Sequence, residues 1–311
     1  MRLLIAMNQP AKASIWRWPA SSTARLRQQF PALDVIDDAE LPGAFAEADA
    51  IVAWQLPPDW PLRAPRLRWV HCPSAAVHQL LTPELVASRV TVTNGASVHA
   101  ATVAEHTLAL MLALARDLPR AVEDQRLRRW QPSTFLPQVS TLAGAQALIV
   151  GMGNIGRALA AMLRGLGMQV EGLRREEDAQ LEARLPDADY VILALPVTPG
   201  TQARFAAPQF AAMRQGARFI NIGRGQSLDE AALLAALDSG RLAAAALDVF
   251  TREPLPEDSP LWRHPRLLIT PHVAAATPDT WARQADLIAY HLRQFLVGAP
   301  LTPQVDKLRG Y

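Results

Sequence analysis

The stretch QALIVGMGNIGRALAAMLRGL, Gln146 to Leu166, constrains this chain more than any other. Gly151, Gly153 and Gly156 form a G-x-G-x-x-G pattern between a short β-like run, Ala147 to Val150, and a segment where Ile155, Leu159, Met162, Leu163 and Leu166 recur at helical spacing. In such a turn the first glycine permits the sharp strand-to-helix reversal. The second lets a pyrophosphate approach the backbone, and the third lets the helix press close to the sheet. The N–H groups at the helix start, around Asn154 and Ile155, then face the anion. A glycine-rich turn alone would be weak evidence, but a strand before it and an amphipathic helix after it point to a dinucleotide-binding unit.

At 311 residues the chain exceeds a single core, and about two domains are expected. Half the residues are hydrophobic, and 31 basic residues balance 29 acidic ones, so neither a disordered nor a strongly charged protein is indicated. No basic tract with interleaved aromatics points to nucleic acid. Cys72 is the only cysteine, which excludes an internal disulfide and argues against a zinc site. A reducing, cytoplasmic compartment follows as the default. The apolar run at Met1 to Met7 is too short for a signal peptide. Val98 to Ala115 is apolar but carries His99, Glu105 and His106, so it reads as a buried helix and not a membrane span.

Strand-like and helical segments alternate from the outset. Strands are expected at Arg2 to Met7, near Val35, and at Ala50 to Trp54, Leu67 to Cys72 and Thr91 to Thr93, with a helix around Ser22 to Phe30. A long helix from His99 ends before Pro119, and a loop with Trp130, Pro132 and Pro137 leads to the glycine turn. Further strands are expected at Gln169 to Leu173, Tyr190 to Leu195, Arg218 to Ile222, Ala243 to Leu247 and Leu267 to Ile269, and helices at Leu228 to Ser239 and Pro278 to Leu296. Alternation of this kind predicts an α/β fold with a doubly wound parallel sheet. The nucleotide domain is expected over residues 98–283, inserted into a substrate domain of residues 1–97 and 284–311, with hinges near Asn94 to Val98 and Ala276 to Pro278.

Four more stretches follow strands of the nucleotide domain, where an open α/β sheet places its ligands. They are LALPVTPGTQ at Leu193 to Gln202, NIGRG at Asn221 to Gly225, ALDVFTREPLP at Ala246 to Pro256 and ITPHVAA at Ile269 to Ala275. Together with the glycine turn they resemble the D-isomer-specific 2-hydroxyacid dehydrogenases over almost the whole chain. The segments IVAW and HPRLLITPHVAA are most similar to the glyoxylate/hydroxypyruvate reductase subgroup. The resemblance implies a Rossmann nucleotide domain, a smaller flavodoxin-like α/β substrate domain, and a homodimer. It also implies Arg224, Glu253 and His272 as the catalytic set. The chemistry agrees. A guanidinium fork can bind the carboxylate of a 2-keto acid and polarise its carbonyl. A protonated imidazole can give a proton to the oxygen as hydride arrives, and a neighbouring carboxylate fixes its tautomer and raises its pKa. Reduction should then weaken as the pH rises through that pKa. Taken singly, each residue has a plainer explanation: His272 as a surface residue, Arg224 paired with Asp229 or Glu230, and Glu253 as a loop carboxylate. The remaining histidines are expected to be structural.

Cofactor choice turns on the residue ending the second strand of the nucleotide domain. The NAD-linked members resembled here carry an aspartate there, whereas this chain reads VEGLRR. Arg174 and Arg175 could bind a 2′-phosphate that an acid would repel, so NADP(H) is expected over NAD(H), unless Glu176 and Glu177 neutralise both arginines. By resemblance Asp248 lies near the nicotinamide carboxamide and Leu195-Pro196 near the adenosine. Thr201, Ile222, Gly223 and Ala274 complete the expected cofactor contacts. CPSAAVHQL at Cys72 to Leu80 matches a family loop whose backbone N–H groups hold the substrate carboxylate. Here Ser74 and Ala76 replace glycines, with Ala75 between them, and His78 replaces an aspartate. Trp54 is a candidate wall of the substrate pocket or a core residue. Two other functions fit the same pattern: an NAD-linked dehydrogenase of a larger or phosphorylated 2-hydroxy acid, and a nucleotide-sensing, corepressor-like binding protein.

Overall fold

The computed structural model describes residues 1–7, 14–37 and 44–310. The chain divides into two compact units, Met1–His99 with Ala276–Tyr311, and Ala100–Ala275.

The first unit is built on β1 (Arg2–Ala6), β2 (Asp34–Asp37), β3 (Ala50–Ala53), β4 (Trp69–Cys72) and β5 (Thr91–Asn94). All are parallel, in the order β2-β1-β3-β4-β5. Every residue of β3 and β4 is buried, which is why these strands read as unbroken apolar runs without alternation. The helices α1 (Ala20–Gln29), α2 (Trp60–Arg63) and α3 (Pro83–Ala87) connect the strands. The short α3 has no periodic signature of its own. It is nucleated by Pro83 in the first turn and by the Thr82 hydroxyl, which accepts the Leu85 N–H at 3.3 Å.

The second unit carries β6 (Gln146–Val150), β7 (Gln169–Leu173), β8 (Tyr190–Leu193), β9 (Ala217–Asn221), β10 (Leu242–Leu247) and β11 (Leu267–Ile269). These are again all parallel, in the order β7-β6-β8-β9-β10-β11. The strand order reverses direction between β6 and β8, the point at which an open α/β sheet opens a crevice for ligands. The long α4 (Ala96–Ala115) is, among the described residues, the one helix long and apolar enough to cross a membrane. Its Val103, Ala104, Leu110, Met111 and Leu114 instead pack into one buried cluster with Ile149, Leu159 and Leu163. The expected loop after α4 begins with a further helix, α5 (Leu118–Arg126): Asp117 takes φ 50°, and Pro119 then sits in the first turn of a new helix.

The remaining helices are α6 (Asn154–Gly165), α7 (Leu181–Arg184), α8 (Ala207–Ala212), α9 (Glu230–Asp238) and α10 (Thr280–Leu296). Because α10 is one rigid element whose Ala285, Ile288, Ala289 and Leu292 belong to the first unit's core, its first turn goes with that unit too. The first unit therefore resumes at Ala276 and not at residue 284.

Among the described residues three buried histidines, His71, His99 and His291, lie in the first unit. Burial, with the neighbouring His291, lowers His71 to about 3, and burial lowers His291 to about 4. Both folded values lie below the unfolded value of 6.5, so the unfolded chain binds more protons between them. The stability due to the neutral rings is therefore complete above 6.5 and is lost as the pH falls. The urea midpoint should drop between about pH 7 and about pH 5, and His291→Phe should flatten that slope. An equal slope in the variant would contradict this account.

Candidate active site

The glycine turn sits at the end of β6. Gly151 has φ +112°, and a Cβ there would meet the Ala194 carbonyl oxygen at 2.6 Å. A Cβ on Gly156 would lie 2.2 Å from the Gly151 oxygen, so this glycine is required for α6 to pack on its own turn. Gly153 differs: a Cβ there meets no protein atom within 4 Å. Packing makes no demand for glycine at this position, and a side chain would fill open space beside the backbone. The first bond within α6 runs from Arg157 N–H to the Gly153 carbonyl at 3.0 Å. The N–H groups of Asn154, Ile155 and Gly156 therefore have no acceptor inside the helix. This open backbone face at a helix N-terminus fits a dinucleotide pyrophosphate. Ile155 packs against the core, and the Asn154 side chain accepts from Arg157 Nη2 at 2.7 Å.

Arg174 and Arg175 follow β7, both exposed. The Glu177 carboxylate does not neutralise them: it accepts the Arg174 backbone N–H at 2.9 Å. Among the described residues neither guanidinium has an ion-pair partner. After β8, the Thr201 hydroxyl donates to the Pro196 carbonyl at 2.6 Å and accepts the Thr198 N–H at 2.8 Å. Thr201 thus staples the loop that presents Leu195 and Pro196. After β9, Ile222 is buried and donates to the Leu193 carbonyl at 3.1 Å, while the Gly223 N–H is held by Asn221 Oδ1 at 3.0 Å. A Cβ on Gly225 would lie 1.9 Å from the Phe250 carbonyl carbon, so glycine there lets the Arg224 segment lie against the segment leading to Glu253.

Arg224 Nη1 donates to the Gly223 carbonyl at 2.7 Å. Of its two expected partners, Asp229 caps α9 through the Ala231 and Ala232 N–H groups, and Glu230 accepts the Thr251 N–H at 2.8 Å. Glu253 Oε2 stands 2.6 Å from His272 Nδ1, and Oε1 accepts the Phe250 N–H at 2.9 Å. Burial raises the Glu253 pKa, but the hydrogen bond and charge of His272, the Phe250 N–H and the charge of Arg224 outweigh it. The net effect holds the carboxyl below its usual value. An ionised Glu253 fixes the Nδ1–H tautomer of the imidazole, leaving Nε2 as the atom that gains or loses the proton.

His272 has φ 53°, a left-handed conformation uncommon for a residue with a Cβ. Its N–H is shared between the Asp248 carbonyl at 2.8 Å and the Thr270 carbonyl at 3.0 Å. The Asp248 carboxylate, 1% exposed, holds the rest of the loop. Oδ1 accepts from the Thr270 hydroxyl at 2.6 Å and the Val273 N–H at 3.0 Å, and Oδ2 accepts the Ala274 N–H at 3.1 Å. His106 Nε2 lies 3.0 Å from the Thr270 oxygen. Since the Thr270 hydrogen goes to Asp248, the imidazole is the donor. His106 is thus a support of the His272 loop that sequence reasoning missed, because its partner lies 164 residues away.

Besides Arg224 and His272, the candidate substrate residues Trp54, Ser74, Ala75 and Ala76 lie in the first unit. Trp54 is 5% exposed and packs edge-on to Trp281 at 6.1 Å, in the apolar core. Ser74, Ala75 and Ala76 form one loop, in which Ser74 Oγ accepts the Ala76 N–H at 3.2 Å and the Ala75 carbonyl accepts from Asn94 Nδ2 at 2.9 Å.

Residues 108–274 match the model of the D-isomer specific 2-hydroxyacid dehydrogenase NAD binding domain. A glyoxylate/hydroxypyruvate reductase B of Escherichia fergusonii is 36% identical over 283 residues, covering 85% of this chain and 87% of that protein. The chain belongs to the D-isomer specific 2-hydroxyacid dehydrogenase family. Its fold agrees with solved members. One from Xanthobacter autotrophicus Py2, in complex with NADPH and MES, is 32% identical with a TM-score of 0.84, covering 99% of this chain and 100% of that one. An NADPH-dependent glyoxylate/hydroxypyruvate reductase of Sinorhizobium meliloti, with NADP and sulfate, is 29% identical with a TM-score of 0.85, covering 100% of this chain and 99% of that one. Family membership makes this protein a nicotinamide-dependent oxidoreductase.

Because the folded pKa of Glu253 lies below the unfolded 4.5, its stabilising contribution is present above that value and is lost as the pH falls through the folded pKa. The stability difference between the wild type and Glu253→Gln should therefore be constant near neutrality and close in acid. A difference that grows in acid would contradict the assigned direction.

Proposed function

We propose that this enzyme reduces small 2-keto acids, glyoxylate and hydroxypyruvate, to 2-hydroxy acids with NADPH. The observation that carries the reading is the 2.6 Å contact between His272 Nδ1 and Glu253 Oε2, in segments that follow the C-terminal ends of strands of the same sheet as those preceding Arg224 and the glycine turn. NADPH, when bound, supplies the hydride. The Arg224 guanidinium binds the substrate carboxylate and draws electron density toward the carbonyl oxygen. His272 Nε2–H gives that oxygen its proton, and Glu253 stabilises the imidazolium through Nδ1–H beforehand. In the reverse direction the neutral Nε2 takes the hydroxyl proton.

Preference for NADPH rests on Arg174 and Arg175, exposed and, among the described residues, without carboxylate ion-pair partners at the end of β7. A 2′-phosphate there would gain charge-assisted hydrogen bonds, whereas the hydroxyl of NADH gains less, so NADH remains usable but weaker. The relatives named for glyoxylate and hydroxypyruvate reduction, and those solved with NADPH or NADP, support this choice. On the same reading the second unit is the dinucleotide-binding domain, the first binds substrate through the Ser74–Ala76 loop, and the enzyme is a cytoplasmic homodimer.

His272→Gln should lower kcat for glyoxylate by roughly 10²–10⁴-fold with the dissociation constant for NADPH little changed. An unaltered kcat would remove His272 from the chemistry. Arg174→Asp combined with Arg175→Asp should raise the KM for NADPH by about 10–100-fold and spare NADH, since each lost charge-assisted bond is worth about 1.5–3 kcal/mol. A variant that kept its NADPH preference would contradict the cofactor assignment.

A further inference from the structure

A buried polar chain in the first unit ends on the loop assigned above to the substrate carboxylate. Trp69 Nε1, which can only donate, lies 2.9 Å from Thr93 Oγ1, and Thr93 Oγ1 lies 2.8 Å from His71 Nδ1. The hydroxyl accepts from the indole and donates its own hydrogen to the imidazole, so His71 carries its remaining hydrogen on Nε2. That nitrogen faces Gln284 Oε1 at 3.4 Å. The Gln284 amide is thereby oriented with its nitrogen toward the Pro73 carbonyl, at 2.8 Å. His99 Nε2 lies 2.8 Å from the same oxygen and 3.0 Å from Gln284 Nε2; in the tautomer with its hydrogen on Nε2 it is a second donor to the carbonyl. Gln284 and His71 are fully buried, and His99 nearly so.

The neighbouring carbonyls are held from the same segment. The Gly95 N–H reaches the Ser74 carbonyl at 3.1 Å, and Asn94 Nδ2 reaches the Ala75 carbonyl at 2.9 Å. Glycine is obligatory at 95, because a Cβ would lie 2.2 Å from the Pro73 oxygen and 2.3 Å from Gln284 Nε2. The peptides of this loop are trans, and in a trans peptide C=O and N–H point in opposite directions. Pinning the carbonyls of Pro73 and Ser74 toward the β5–α4 turn therefore turns the N–H groups of Ser74 and Ala75 the other way, while the Ala76 N–H is held by Ser74 Oγ at 3.2 Å. Successive N–H groups on one side of a loop suit an anion.

We propose that Gln284 and His99 are positioning residues for substrate binding: by holding the Pro73 carbonyl from the buried side, they aim the N–H groups of Ser74 and Ala75 at the substrate carboxylate. This rests on the reading of that loop given under the proposed function. Neither residue touches substrate. Their effect is on the affinity for the keto acid and not on proton transfer or nucleotide binding.

The test compares Gln284→Met, His99→Leu and the donor-retaining His99→Gln with the wild type. Gln284→Met and His99→Leu should each raise the KM for glyoxylate by about tenfold, the worth of one buried hydrogen bond, with kcat and the KM for NADPH little changed. His99→Gln should return close to the wild-type value. A merely structural defect would lower kcat through loss of active protein and leave the KM in place. Oxalate affinity, measured by calorimetry on the folded variants, reads the same effect without turnover and should weaken in parallel. An unchanged KM and oxalate affinity in both donor-deleting variants, or no rescue by His99→Gln, would overturn the assignment. A wild-type protein inactive on every 2-keto acid would instead refute the proposed function, and oxalate binding would still decide the positioning role.

Discussion

The architecture of the second unit converges on the Asp248 carboxylate. A carboxylate 1% exposed would be untenable alone, and it is stabilised by the Thr270 hydroxyl and by the N–H groups of Val273 and Ala274. Those donors come from the residues on either side of His272, whose own N–H binds the Asp248 carbonyl. A left-handed conformation costs a residue with a Cβ about 1–2 kcal/mol. Four hydrogen bonds to one aspartate offset that cost, and the resulting turn places the imidazole 2.6 Å from Glu253. The Asp248 side chain, expected by resemblance near the nicotinamide carboxamide, is bonded within the His272 loop.

The two units solve related problems with different means. In the second, charge and hydrogen-bonding groups are set at the ends of parallel strands, where glycines at 151, 156, 223 and 225 allow backbone segments to approach more closely than any side chain permits. In the first, Gln284, His99 and Asn94 hold a loop by its carbonyls. Both arrangements use buried polar groups that are satisfied only in one geometry, which favours a single conformation over a loosely packed one.

Most of the fold was legible because its signals are local. The glycine turn, the apolar runs of β6 and β8–β10, and the 3.6-residue spacing of α6 and α10 are each readable within a short window. The misses follow from context. Leu118–Arg126 is helical because Asp117 reverses the chain and Pro119 starts a new turn, where a proline reads as an end as readily as a beginning. The division at Ala276 falls in the stretch expected as a hinge, whereas the expected limit at 284 cuts α10, whose Ala285 and Ile288 lie in the first core. For the candidate site, Arg224, Glu253 and His272 stand out in the sequence as motifs. The contacts of His106, His99 and Gln284 do not, because each meets a backbone or hydroxyl partner far away in sequence, and a lone histidine on an apolar helix looks the same whether or not it holds one.

The central claim is that Glu253 fixes the His272 imidazole as the Nδ1–H tautomer and so leaves Nε2 to exchange the catalytic proton. Nitrogen-15 spectroscopy of histidine-labelled protein tests it directly, with the His272 signals assigned among the seven histidines by their loss in His272→Gln. On this account the neutral imidazole carries its hydrogen on Nδ1 and a lone pair on Nε2. A neutral His272 carrying its hydrogen on Nε2 would contradict the claim, since the Glu253 contact would then have no proton to hold.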